Sequence, residues 1–164
     1  MLDAWVIQHL RAAYQYASGH SHDNSTQVGA KIVGCKPLSL IAANAFSSPD
    51  QNIPENLVRE RKYPRIVHAE RAVIYLAALK GISLHDSTMF CPWATCPECA
   101  QAIVASGIRE VYAHKDAHDK TPDRWREPLE IGKEILRDGG VDFFQFEGKI
   151  GECENLFDSE VWYP

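Results

Sequence analysis

The stretch that decides the fold is residues 88–113, TMFCPWATCPECAQAIVASGIREVYA. Thr88–Cys91 reads as a short strand, and Pro97 then suits the first turn of a helix, where the N–H that proline lacks has no intrahelical partner. That helix runs to Ser106, Gly107 closes it, and Ile108–Ala113 is a second strand. Strand, helix and strand in succession imply a sheet with helices on its faces.

The pattern extends in both directions. Ala69–Leu79 carries apolar and small residues at helical spacing (Ala72, Val73, Ile74, Leu76, Ala77, Leu79), and Gly81 ends it. Val28–Val33 and Leu38–Ala43 read as two strands joined at Gly34–Pro37 as a hairpin. Residues 4–18 form an amphipathic helix that stops at Gly19. Toward the other end, Arg124–Arg137 is a helix followed by Gly139 and Gly140, and Val141–Phe146 is a strand. Residues 46–66, rich in Ser, Pro, Asn and charge, read as a long loop with one helical turn near Glu55–Arg59. Loops this long inside a compact domain are often functional. Asp116, His118 and Asp119 read as polar loop, and residues 148–164 as an acidic, aromatic extension. The expectation is one α/β domain over residues 1–164, with its core at about 5–145.

Composition narrows the function. The chain has 164 residues, 45% hydrophobic and 24% charged, enough apolar material for one packed core. No apolar run approaches the roughly 20 residues of a membrane span, and the first residues lack a signal-peptide pattern. The expected location is therefore cytoplasmic, with no membrane partner. The net charge of -5 argues against a polynucleotide partner, whose phosphates call for a basic surface. A small anionic substrate needs only a local cluster of Arg or Lys. Five cysteines, three of them between Cys91 and Cys99, favour metal binding over a disulfide framework in such a chain.

The chemistry sits in Val67-His68-Ala69-Glu70 and Thr95-Cys96-Pro97-Glu98-Cys99. Each segment lies where a loop enters a helix. Cys96 and Cys99, three apart, fall on one side of a first helical turn, where the helix terminus favours thiolates. His68 adds an imidazole from the other helix start. One His with two Cys is a ligand set for tetrahedral Zn2+, and three protein ligands leave a fourth position for water. Zinc brings the pKa of such a water toward neutrality. Glu70, two residues after His68, reaches the same pocket without ligating and can carry protons from water to a leaving amine. His-x-Glu followed by Pro-Cys-x-x-Cys is the pattern of zinc deaminases, and this chain matches it except for Thr95 at the Pro position.

Around these motifs the chain resembles the cytidine and deoxycytidylate deaminase superfamily, and its deoxycytidylate (dCMP) branch in particular. The similar stretches are Ser25-Thr26-Gln27-Val28-Gly29-Ala30, Asn44 within Ala43–Phe46, Arg61-Lys62-Tyr63-Pro64, and Cys99–Ile103 running on to Ser106-Gly107-Ile108. The resemblance implies a three-layer α/β/α fold with a central five-stranded sheet, a zinc cofactor and a homo-oligomer. It implies hydrolysis of an exocyclic amine on a pyrimidine nucleotide, dCMP to dUMP, with release of ammonia. It assigns substrate contact to Asn44. Thr26, Ala69, Trp93, Thr95, Arg61 and Lys62 complete the expected substrate-binding set. Three departures bear on substrate identity: Thr95 replaces the usual Pro before the first zinc Cys, Ala72 replaces an Asn of the dCMP branch, and Phe90–Ala94 places a Trp and an extra Cys beside the site.

Plainer readings stand beside these. Cys96 and Cys99 could form a redox pair, which leaves His68 and Glu70 unexplained. Cys91 is either a fourth ligand or, as its strand position favours, a core thiol. Arg59, Arg61, Lys62 and Arg65 form either a phosphate patch or a solvated charged loop, and His20 and His22 either meet phosphate or are solvated. Competing functions are a deaminase of cytosine, cytidine, guanine or a pterin precursor, a polynucleotide editor, and a non-enzymatic zinc module. The aromatic tail, with Phe157, Trp162 and Tyr163, suggests docking on a neighbouring subunit.

Overall fold

The structure, a computed structural model, describes residues 2–35 and 39–164. Its centre is a five-stranded sheet in the order β2-β1-β5-β6-β7, formed by β1 (Gly29–Val33), β2 (Leu40–Ala43), β5 (Thr88–Phe90), β6 (Glu110–His114) and β7 (Asp142–Phe146). β1 pairs antiparallel with both β2 and β5, and β5, β6 and β7 run parallel. The expected hairpin is present, with Gly29 opposite Ala43 and Ile32 opposite Leu40. Pro37 and Leu38 of that expectation lie outside the described residues.

Each face of the sheet has its own core, because successive strand residues point to opposite sides. Met89 packs with Ala30, Ile32, Val73, Ile103 and Leu136, beneath α3 (Ala69–Lys80), α4 (Pro97–Ser106) and α6 (Asp123–Asp138). The next residue, Phe90, packs with Val6, Leu10 and Tyr14 of α1 (Leu2–His20). Both α3 and α4 end on a left-handed glycine, Gly81 and Gly107, the conformation a side chain would oppose. This is the expected α/β/α arrangement with its five strands. Among the described residues no helix is long and apolar enough to cross a membrane.

Three segments differ from the sequence reading. The long loop is an organised excursion closed at its base, where β3 (Ala45–Phe46) pairs with β4 (Ile66–Val67). Inside it are 3-10 turns at Pro49–Gln51 and Pro54–Asn56 and the short α2, Arg59–Lys62. Two-residue strands and one-turn helices leave no periodicity to read. The same applies to α5 (Lys115–Asp119), which replaces an expected loop. The C-terminal extension forms a hairpin, β8 (Asn155–Phe157) with β9 (Glu160–Trp162). Its turn residues Asp158 and Ser159 have φ of 49° and 71°, the left-handed values usually marked by Asn-Gly. Phe157 and Trp162 are buried in the core on the α1 side, so they pack within their own chain.

Candidate active site

Two helix starts converge on the site. His68 is the extended residue before α3, and Cys96 holds the same place before α4. The start of each helix leaves backbone N–H groups without intrahelical acceptors, which favours anionic ligand groups nearby. His68 Nδ1 lies 3.4 Å from Cys96 Sγ and 3.6 Å from Cys99 Sγ. The three donor atoms all lie within 4.8 Å of one another. Zinc bonds of about 2.3 Å to sulfur and about 2.0–2.1 Å to nitrogen, at a tetrahedral angle, separate S and N by about 3.5 Å. The donor set and its spacing therefore fit zinc.

The electrostatics suit metal ligation and proton transfer. Cys96 is pulled down to about 4, first by a hydrogen bond from Cys99 and then by His68. Cys99 is pushed up by that shared proton and by burial. Burial would lower His68, but its hydrogen bond to Cys96 and the charges of Glu70 and Cys96 leave it raised. Burial pushes the Glu70 carboxyl up, opposed mainly by His68. Glu70 is the second residue of α3, almost wholly enclosed, and lines the same pocket as His68 and Cys96. Cys91 is fully buried in the core and outside the cluster, its thiol pushed up by burial.

The pocket above these groups has aromatic walls. Trp93 meets Phe157 edge to face at 4.9 Å and Trp125 at 6.3 Å, and Trp125 meets Tyr63 at 6.0 Å. All four line the pocket. Trp93 is fixed by a hydrogen bond from its Nε1 to Thr121 Oγ1 at 2.9 Å.

The other expected contacts divide. Asn44, Thr26 and Ala69 line the pocket. Asn44 is also a brace: its Oδ1 accepts from Ser21 Oγ at 2.6 Å and Val28 N at 3.0 Å, and its Nδ2 donates to the Thr26 carbonyl at 2.8 Å. Thr95 is fully buried beside the cluster and does not line the pocket. Arg61 donates to Asn56 Oδ1 at 3.2 and 3.3 Å and is absent from the lining. Lys62 is buried, with Nζ 2.7 Å from Asp23 Oδ1 and 2.7 Å from Ser25 Oγ. Its charge holds the 23–25 loop in place. His22 is likewise internal, its Nδ1 accepting from Phe46 N. The pocket instead receives Arg124 and Trp125 from α6 and Phe157 and Asp158 from the hairpin. Sequence reasoning placed both segments in the fold without a role in the site. Arg124-Trp125, a cation beside an aromatic at a helix start, was the available signal.

Comparison with known proteins agrees with this geometry. The family described as cytidine and deoxycytidylate deaminase zinc-binding region matches residues 3–115. An uncharacterized deaminase of Aliivibrio fischeri is 28% identical over 147 residues, covering 87% of this chain and 93% of that one. The deoxycytidylate deaminase of enterobacteria phage T4 is 34% identical over 83 residues, 51% of this chain and 39% of the phage enzyme. In fold, the chain is similar to the dCMP deaminase of cyanophage S-TIM5, with a TM-score of 0.63 at 20% identity over 87% of this chain and 98% of that one. The match over more than half of its length makes this chain a member of the cytidine and deoxycytidylate deaminase family.

Proposed function

We propose that the protein is a zinc-dependent hydrolytic deaminase that converts dCMP to dUMP. The observation that carries the chemistry is the His68, Cys96 and Cys99 cluster with the enclosed Glu70 carboxyl beside it. The dCMP reading is supported by the phage relative, and a planar base suits a pocket walled by Trp93, Trp125 and Phe157.

His68, Cys96 and Cys99 would hold the metal, which when bound supplies a water activated near neutral pH. The chain's own residues do the rest. Glu70, raised by burial, accepts a proton from the attacking water and delivers it to the departing amine. Water is consumed, a carbonyl replaces the C–NH2 group, and ammonia leaves. The aromatic walls orient the ring against Glu70 and limit access of bulk water.

The test is ammonia release by zinc-loaded protein offered cytosine, deoxycytidine and dCMP. Turnover is expected with dCMP as the best substrate. A zinc-loaded protein that deaminates none of the three defeats the reading. The same reading includes a homo-oligomer. Tyr75 and Leu79, one turn apart on α3 and 53% and 85% exposed, are apolar surface for it to cover, and sedimentation at micromolar concentration measures it.

A further inference from the structure

The Asp, Glu, His, Lys and Arg residues lining the pocket, among those described, are Asp23, His68, Glu70, Arg124 and Asp158. Arg124 is the one Lys or Arg in that set. It stands near the start of α6, and its Nη2 lies 2.7 Å from Asp158 Oδ1 at the tip of the C-terminal hairpin.

This ion pair differs from the other one at the pocket. Asp23 and Lys62 are only 10% and 5% exposed at their side chains. The same Asp23 oxygen also accepts from Ser25 N, Ser25 Oγ and Thr26 N. Removing Lys62 would leave a buried, donor-bound carboxylate without its counter-charge, so that pair cannot exchange at low cost. Arg124 and Asp158 are 41% and 50% exposed. Pairs so open to water contribute little stability, and one bond joins these two. A phosphate carries about two negative charges and three acceptor oxygens, and a guanidinium fork binds such a group in bidentate fashion.

The exchange does not require the hairpin to unfold. Its tip is held by backbone, with Asp158 N donating to Thr26 Oγ1 at 3.1 Å and Ser159 N to the Ser25 carbonyl at 2.7 Å. Phe157 anchors it in the core. Rotation of the Asp158 side chain is enough to release Arg124.

We propose that Arg124 binds the phosphate of the substrate by exchanging Asp158 for it, which makes the hairpin tip a selector between nucleotide and nucleoside. This rests on the deaminase reading above and assigns it the residues that set specificity. Arg124 takes the place that the sequence offered to Arg61 and Lys62.

The experiment compares wild type, Arg124→Gln, Arg124→Lys and Asp158→Asn, each checked for zinc content and thermal stability. Asn accepts a positive φ, so Asp158→Asn keeps the turn. Binding of dUMP and of deoxyuridine is read by tryptophan fluorescence from Trp93 and Trp125, and kcat/KM is measured for dCMP and deoxycytidine. Wild type is expected to favour the monophosphate by about tenfold or more, the scale of a charge-assisted contact. Arg124→Gln should bring the ratio near one, and Arg124→Lys should restore part of it. Asp158→Asn should raise the ratio by roughly threefold or more by removing the competing carboxylate. A wild-type ratio retained in Arg124→Gln, or a ratio not increased in Asp158→Asn, overturns the proposal. Equal use of dCMP and deoxycytidine also overturns it and leaves the deaminase reading intact. Arg124-dependent dUMP binding without ammonia release from any substrate does the reverse.

Discussion

The backbone of Gly132, in the middle of α6, lies directly against the carbonyl oxygen of Thr95, the residue before the first cysteine of the cluster. A Cβ on Gly132 would overlap that oxygen and crowd Cys96. The contact locks α6 onto the cysteine loop, and the same helix carries Arg124, Trp125 and Leu129 into the pocket.

Gly132→Ala therefore tests a sign. In an open helix interior Ala is better than Gly by about 1 kcal/mol. Here we expect a loss of about 1–3 kcal/mol from overpacking against backbone, seen as a lower Tm, together with weaker zinc retention. A gain in Tm would show that α6 is free to move away from Thr95.

Glu70→Gln removes the carboxyl proposed to carry protons while keeping its shape. Turnover should fall by about 10²–10⁴-fold, the usual contribution of general acid–base catalysis. Zinc content should stay at the wild-type level, since Glu70 is outside the ligand cluster. Metal analysis paired with steady-state kinetics checks both, and near-normal turnover would remove Glu70 from the mechanism.

Metal should also hold the fold together, because His68 and the two cysteines join the starts of α3 and α4. A ligand that binds only the native state stabilises it by about 4 kcal/mol at a thousand times its Kd. Chelation should lower the Tm of wild type and have little effect on Cys99→Ala, which should purify with little zinc. Full zinc occupancy in Cys99→Ala would exclude Cys99 as a ligand.

Stability should depend on pH through His118. Burial, then the charge of Lys133, lowers it from 6.5 to about 4, with Ala94, Glu130 and Asp119 opposing. Its Nε2 has no hydrogen-bond partner. The unfolded chain takes up this proton below pH 6.5, whereas the native state resists it down to about 4. The stability that His118 contributes is therefore present above pH 6.5 and is lost as the pH falls toward 4, at most about 3 kcal/mol. Urea titrations between pH 4 and 7 should show a shallower slope for His118→Gln than for wild type. Parallel slopes would assign the acid sensitivity to other groups.

The sequence by itself determined the sheet and the candidate centre formed by His68, Cys96 and Cys99. Both depend on short-range pattern: the 3.6 and 2 periodicities of α3, α4, α6 and the strands, and two motifs whose residues lie within one helical turn of each other. His68-x-Glu70 and Cys96-x-x-Cys99 could be read as one cluster because each opens a helix, and helix starts are visible from local residues.

Only the tertiary structure decided what surrounds that centre. Lys62 lies only six residues before His68, yet its ammonium turns inward to Asp23, 39 positions earlier. Arg124 and Asp158, 34 positions apart, meet at the pocket because α6 packs on α4 and the hairpin packs on α1. Burial, charge pairing and the close approach of Gly132 to Thr95 are properties of chain segments brought together by folding. No local pattern encodes them, so the sequence located the His68, Cys96 and Cys99 cluster, and the packing of α6 and the C-terminal hairpin brought Arg124 and Asp158 to the pocket beside it.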